Sequence, residues 1–317
     1  MKQKVMLLCA VCVLVVALAV PTMAADKFPS KPITLYSPYA TGGAIDMTLR
    51  LLGQELEKKL GVPVLIESKS GGGGAVALNA IKRAKPDGYT LCGFADSMIM
   101  VKPILDSVDY DPLNDFRFVN TLVNAFHPLA IRSNSEWETL DDMIAWAKAN
   151  PGKLKWAPAT ASNMLAFVGM KFFKEAGIEA TIVPFNGGAE ANAALLGGHI
   201  DATIIAESLS PYKAGEIRIL AETTPVSNPF IPGVKTLKEL GYDTGFSIFY
   251  GLLGPKDLPD DIVNFLSKEI DTILKSETFL NGAGNINTVP VSKNGEELLQ
   301  YYRDNIPVME AIIEEFE

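Results

Sequence analysis

The run ITLYSPYATGGAIDMTLRLLGQELEKKLGVPVLIE, residues 33–67, decides the fold. Its first five residues are a short, mainly apolar strand. Met47, Leu49, Leu51, Leu52, Leu56 and Leu60 then recur at helical spacing, so 46–60 predicts an amphipathic helix. Gly61 stops that helix and Pro63 follows, the usual punctuation of a helix end. Residues 64–67 open a second strand. Two strands joined by a helix of this length are parallel neighbours, because a parallel pair needs a crossover of a dozen or more residues.

Toward the C-terminus the unit repeats. Residues 75–84 predict a helix, Pro86-Asp87-Gly88 a turn and 90–94 a strand. The resulting β-α-β-α-β run implies a parallel sheet with right-handed crossovers. Residues 128–132 form a strand that leaves this unit, and the pattern restarts. Thr139 caps a helix over 141–149, ended by Asn150-Pro151-Gly152. Strand 154–157, helix 162–176, strand 180–184, helix 189–196 and strands 200–205 and 217–221 follow. Residues 246–253 return to the first unit, 257–280 are helical, and a last helix starts near 295. The expectation is an α/β fold of two domains. Residues 26–129 and 246–317 form its first domain, 130–245 its second, and two crossing strands form a hinge.

Toward the N-terminus, Lys2 and Lys4 precede an apolar run over 5–20, and Pro21, Thr22, Met23, Ala24 and Ala25 lead into Asp26. This reads as a secretory signal, residues 1–25, cleaved near Ala24 or Ala25. The run is short for a bilayer span of about 20 residues, which leaves an uncleaved anchor as the alternative. Cys9 and Cys12 lie in the leader outside any lipidation pattern. Cys92 alone remains in the mature chain, so no internal disulfide can form.

The chain has 317 residues, 48% hydrophobic and 21% charged, enough for two core-forming domains. Its 28 basic and 37 acidic residues become 26 and 37 without the leader, a net charge of −11. Such a surface disfavours nucleic acid and does not steer anions from a distance. An anion must therefore be held by local donors.

Four loops offer such donors. Tyr39, Ala40, Thr41, Gly42 and Gly43 join the first strand to the first helix, with Asp46 in its opening turn. Paired glycines let backbone N–H groups approach a ligand, and the helix end adds partial positive charge. An ordinary strand-to-helix turn would have the same composition. Gly71-Gly72-Gly73-Gly74 lacks the Gly-Lys-Ser/Thr ending of a P-loop and reads as close packing of strand, turn and helix. Thr160, Ala161, Ser162 and Asn163 open the helix over 162–176, where one must cap and the others can face a ligand. Phe185, Asn186, Gly187 and Gly188 precede the helix over 189–196. In a parallel sheet these loops share the carboxyl ends of strands, where ligands bind.

Enzyme readings find no support. His127 and His199 stand in no metal-ligand spacing, and no G-x-S-x-G elbow exists. Ser210 and Lys213 match S-x-x-K, but its companion motifs are missing. Cys92, in an apolar strand, has no adjacent base.

Several strings together resemble the substrate-binding proteins of the tripartite tricarboxylate transporters, the Bug family. They are Phe28-Pro29-Ser30-Lys31-Pro32-Ile33, Pro38 to Gly43 with Asp46, and Leu60-Gly61-Val62-Pro63-Val64. Lys85 to Leu91, Ala147 to Leu154, Val183 to Gly187, Leu195 to Asp201 and Gly251 to Pro255 continue the likeness over essentially the whole mature chain. The resemblance implies a two-domain periplasmic-binding-protein fold of the type II-like, flytrap kind, and a periplasmic protein that captures a small mono-, di- or tricarboxylate or related compound. It implies a large and a small integral membrane subunit as partners. A monomer is the expectation for a protein that hands its cargo to a membrane partner, and no cofactor, metal or catalytic residue is expected. A sensory subunit for the same ligands is the alternative. By this likeness the first loop grips one carboxylate, Asp96 and Ser97 line the cleft, and Glu207 stands where an acidic residue can pair with an amino group. Ala159 and Ala161 replace glycines of the family loop, Met164 and Leu165 stand in place of its histidine, Phe185 replaces a frequent Tyr and Phe249 a frequent Trp. These departures bear on selectivity.

Overall fold

The computed structural model of the protein describes residues 28–160, 163–185 and 187–316. The leader, Ala161, Ser162 and Asn186 lie outside the described residues. From the N-terminal side, β1 (Ile33–Ser37), α1 (Ala44–Leu60), β2 (Val64–Ser68), α2 (Ala75–Lys82) and β3 (Thr90–Ala95) form the predicted alternation. Short helices α3 (Asp96–Met100) and α4 (Lys102–Leu105) lead to β4 (Phe116–Ala125). Beyond β5 (Pro128–Arg132) come α5 (Leu140–Ala149), β6 (Leu154–Pro158), α6 (Met164–Glu175), β7 (Ala180–Ile182), α7 (Gly188–Leu196) and β8 (Ala202–Ile204). Then follow α8 (Leu209–Lys213), β9 (Ile217–Glu222), β10 (Ile248–Pro255), α9 (Asp260–Ile273), α10 (Glu277–Asn285), β11 (Thr288–Pro290) and α11 (Gly295–Phe316).

These strands make two sheets, ordered β11-β4-β10-β3-β1-β2 and β7-β6-β8-β5-β9. Apart from β11, which has no counterpart, the two orders match strand for strand. In each, three strands from one stretch of chain pair in parallel, β2-β1-β3 and β7-β6-β8. In each, the next strand has arrived from the other side and runs antiparallel to both neighbours, β10 in the first sheet and β5 in the second. The parallel pairing expected for the β-α-β-α-β run is found in β2-β1-β3, and the antiparallel strand beside it is an addition. A strand that enters directly from another sheet needs no helical crossover, so nothing constrains it to run parallel.

Local chemistry explains the predicted elements. α1 buries Ile45, Leu49, Leu52 and Leu56 on its sheet, about 2 kcal/mol each for a fully buried aliphatic side chain. A Cβ at Gly93 would lie 2.6 Å from a Leu49 methyl, so the close approach of α1 to β3 depends on that glycine. Gly61 ends the helix at φ 70°, donating its N–H to Glu57 O. Thr139 caps α5 as expected: its hydroxyl oxygen accepts the Asp142 N–H, and the Asp142 carboxylate accepts the Thr139 N–H in return.

Two expectations are revised. Residues 257–280 form two helices, separated where Ser276 Oγ accepts the Phe279 N–H and starts α10. Strand β4, unforeseen, is the longest in the structure's first sheet. Its Asn120, Thr121 and Asn124 break the apolar pattern, yet all three are buried and partnered. Asn120 donates to Asp271 and Ser292, Thr121 donates to Val291 O, and Asn124 Oδ1 accepts the Ile248 N–H.

The chain passes between sheets twice, through residues 126–127 and through 223–247. Buried Glu222 ties the passages together. Its carboxylate accepts N–H groups from His127, Thr223 and Thr224 and from the Asn228 side chain. Asn287 adds a second tie, donating to Phe126 O and Ala206 O and accepting from Asn228.

Candidate functional site

In the order β2-β1-β3 the connections after β1 and β3 leave in opposite directions, which opens a crevice between them at the carboxyl ends of the strands. The loop over 38–43 follows β1, and Asp96 and Ser97 follow β3. The Tyr39 hydroxyl and Ser97 Oγ lie 3.3 Å apart and join the two edges of that crevice. Thr41 and Gly42 are exposed beside them.

α1 begins here. Its N-cap, Gly43, has no side chain to cap it, and its own N–H goes to Ala40 O. The first bond of the helix ladder is Met47 N–H to Gly43 O. The N–H groups of Ala44, Ile45 and Asp46 therefore have no partner in their own helix, whose start follows the loop after β1. No lysine or arginine is needed to make this end attractive to an anion.

Asp46 works from beneath. Its buried carboxylate accepts the Gly42 N–H at 2.9 Å and the Arg50 guanidinium at 2.7 Å. Burial opposes its ionisation, but Arg50, the Gly42 N–H and the Ser37 hydroxyl outweigh it and hold the carboxyl below its usual range. The Gly42 amide is thus committed inward. The loop's anion-facing donors are those of the helix start.

Asp96 is also turned inward. Fully buried, it accepts the Phe249 N–H at 2.8 Å and the Tyr302 hydroxyl at 2.7 Å. With no cation beside it, desolvation pushes its carboxyl up to about 7. It fastens β10 and α11, while its neighbour Ser97 is half-buried.

In the second sheet β6 and β8 have the positions of β1 and β3. Thr160 is half-buried after β6. Asn163 is the cap of α6, its Oδ1 accepting the Ala166 N–H at 3.0 Å. Phe185 packs against the apolar cluster of this sheet. Gly187 and Gly188 start α7, again without a side-chain cap. Glu207, after β8, lies directly over Gly188, where a Cβ would sit 1.9 Å from its carboxylate oxygen. Glu207 is exposed to the solvent of the crevice but surrounded by protein at longer range, and this desolvation raises its pKa.

Tyr250 was not visible as a site residue in the sequence. It lies on β10 opposite Ala95 and Val123, and only 8% of its surface is accessible. Burial raises its pKa first, and the charge of Glu207 and the proximity of Tyr39 and Asp96 add to this. It is the residue that feels groups from both sheets. Two adjacent aromatics, Phe249 and Tyr250, gave no period from which its direction could be read.

The remaining candidate chemistry is structural. Burial drives the Cys92 thiol up and His127 down to about 4, leaving both neutral near pH 7. Among the described residues no group of His, Cys, Asp and Glu can hold a metal ion, and no helix is long and apolar enough to cross a membrane. A groove of about 790 Å³ lies elsewhere, between residues 225–247 and α11. None of the candidate loops lines it, and Lys171, Lys238 and Asn305 are among its lining residues.

Paired α/β sheets exchanging strands, with helix starts at the switch points, are an architecture shared by solute-binding proteins. The profile of the "Tripartite tricarboxylate transporter family receptor" matches residues 48–317, and the chain belongs to that family. It is 30% identical over 298 residues to the "UPF0065 protein in gbd 5'region" of Cupriavidus necator, covering 93% of this chain and 91% of the relative. Among solved structures, "Structure of a periplasmic transporter" has TM-score 0.83 and 28% identity, covering 90% of this chain and 97% of the other. R. palustris Rpa4515 with adipate has TM-score 0.84 and 24% identity over 90% and 97%.

Proposed function

We propose that this chain is an exported receptor that captures a small carboxylate and delivers it to the membrane subunits of a tripartite tricarboxylate-type transporter. The observation that carries the reading is the uncapped start of α1. The amides of Ala44, Ile45 and Asp46 are unpartnered within the helix, and the preceding loop carries Tyr39, whose hydroxyl bonds Ser97 across the switch point of the first sheet. The adipate held by a structurally similar protein supports a carboxylate as the ligand class. The strand-exchanging connections, tied by Glu222 and Asn287, would serve as the hinge between a first domain of 26–129 with 246–317 and a second of 130–245.

On this reading one ligand carboxylate sits on the α1 amides. Closure brings the loops after β6, β7 and β8 over it and excludes water, which strengthens each hydrogen bond. Thermal-shift measurements with mono-, di- and tricarboxylates test the proposal. A ligand at about a hundred times its Kd should add about 2.7 kcal/mol of stability. A flat response across the whole acid panel refutes it. Transporter coupling is tested separately, by uptake of the identified acid in cells with and without the receptor.

A further inference from the structure

The loop over 38–43 is held by a side chain that is not part of it. Residues 40–43 form a turn closed by the Gly43 N–H on Ala40 O. Gly42 is third in that turn, at φ 88°, the place where a type II turn requires glycine. Its N–H goes to the Asp46 carboxylate, 2.9 Å away in the first turn of α1. That bond ties the tip of the loop to the helix whose uncapped amides follow it.

Asp46 is completely buried, and a buried carboxylate without a cation is costly. It would also set a negative charge in the same helical turn as the amides that receive a carboxylate. Arg50, four residues on, answers both. Its Nε lies 2.7 Å from Oδ2 and a terminal nitrogen 3.3 Å from Oδ1, so both oxygens are engaged while Oδ2 keeps Gly42. Arg50 reaches Asp46 from the solvent side. Its side chain is 46% exposed, and with Gln54 and residues 64–66 of β2 it lines a shallow groove of about 410 Å³ on the flank of α1. The other groups around the pair are Ser37 of β1, whose hydroxyl bonds the carboxylate, and Glu57 and Lys58 of α1. Glu57 is engaged by the Val64 N–H and Lys58 by Glu55. Among the described residues Arg50 is the one cation in salt-bridge contact with Asp46.

We propose that Arg50 is a positioning residue of the carboxylate seat: through Asp46 it fixes the Gly42 turn and cancels the charge beneath it, without touching the ligand. This rests on the reading of the α1 start as that seat. Without the guanidinium Asp46 has two courses. Ionised, it meets the incoming carboxylate with uncompensated charge. Protonated, it holds the Gly42 N–H only weakly. Either course lowers affinity. An amide at position 46 escapes both, because its carbonyl accepts the Gly42 N–H and carries no charge. Loss of Arg50 then has nothing to act through.

The test is isothermal titration calorimetry of the mature protein near neutral pH with acetate, adipate and citrate. Arg50→Met should weaken the tightest binder of the three about tenfold, and Arg50→Lys, which keeps the charge but not the fork, about threefold. In the Asp46→Asn background, Arg50→Met should change affinity by less than about twofold. Isotopically labelled glycine gives a second readout that needs no ligand, since the Gly42 amide-proton shift follows the ionisation of Asp46. Its midpoint should move upward in Arg50→Met, because burial then loses the strongest of the groups that oppose it. Unchanged affinity in Arg50→Met, an equal loss with and without Asp46→Asn, or an unmoved Gly42 midpoint overturns the inference and leaves the seat standing. A wild-type protein that binds none of the three acids removes the seat and this role with it. If Arg50→Met or Asp46→Asn does not fold, Arg50→Lys decides, and unchanged affinity there overturns the inference.

Discussion

Replacing Asp96 by Asn should make this protein more stable above neutrality, although it removes a buried charge held by two hydrogen bonds. In the folded chain the Asp96 carboxyl is pushed up to about 7 by burial, against 3.8 for an ordinary aspartate. Between about pH 4 and pH 7 the folded state therefore holds a proton that the unfolded chain has lost. Each pH unit in that window removes about 1.4 kcal/mol of stability, or about 4 kcal/mol across about three units. The contribution is complete below pH 4 and gone above pH 7. Asn does not titrate, and its amide can keep both partners. Its carbonyl accepts the Phe249 N–H, while its NH₂ donates to the Tyr302 oxygen, whose hydroxyl turns away. The variant should match the wild type near pH 4 and exceed it by about 4 kcal/mol at pH 8. Asp96→Ala behaves differently. It strands the Phe249 N–H and the Tyr302 hydroxyl and should cost about 2–6 kcal/mol at acid pH. Urea unfolding followed by far-UV circular dichroism at half-unit pH steps measures both variants, with the m-value checking that the transition is unchanged. Parallel stability curves for wild type and Asp96→Asn would refute the reasoning, since they would mean that Asp96 titrates alike in both states.

Three further outcomes follow from the geometry. Gly43 has φ −71° and ψ 164°, which any residue adopts, so Gly43→Val should change stability by less than about 1 kcal/mol. Its side chain would cover the α1 amides, so calorimetry should show more than about tenfold loss of carboxylate affinity, and unchanged affinity would take this loop out of the site. Gly74 has φ 96°, and a Cβ there would lie 2.6 Å from Met98, so Gly74→Val should cost about 3 kcal/mol or more in urea unfolding. Asn287→Ala removes the side chain that joins Phe126, Ala206 and Asn228 and leaves alanine at φ 56°. It should cost about 2–4 kcal/mol, of which Asn287→Gly recovers only the backbone part, about 1 kcal/mol.

The alternation of strands and helices was legible in the residues because it rests on local interactions. The leucine spacing of α1, Gly61 behind it and the Thr139 cap act within one or two turns of chain. The restart near residue 139 and the return through β10 were legible for the same reason, and the glycine-bearing loops marked helix starts near the site. Only the tertiary structure decided the rest. β4 is a strand because Asp271, Ser292, Val291 and Ile248, all distant in sequence, satisfy its polar residues. β5 and β10 run antiparallel because each enters its sheet from the other side. Asp46 and Asp96 turn inward to Arg50 and Tyr302, while Glu207 is exposed over Gly188. Residue type sets what a side chain can bond, but the direction in which it points follows from packing between segments that the chain brings together only on folding.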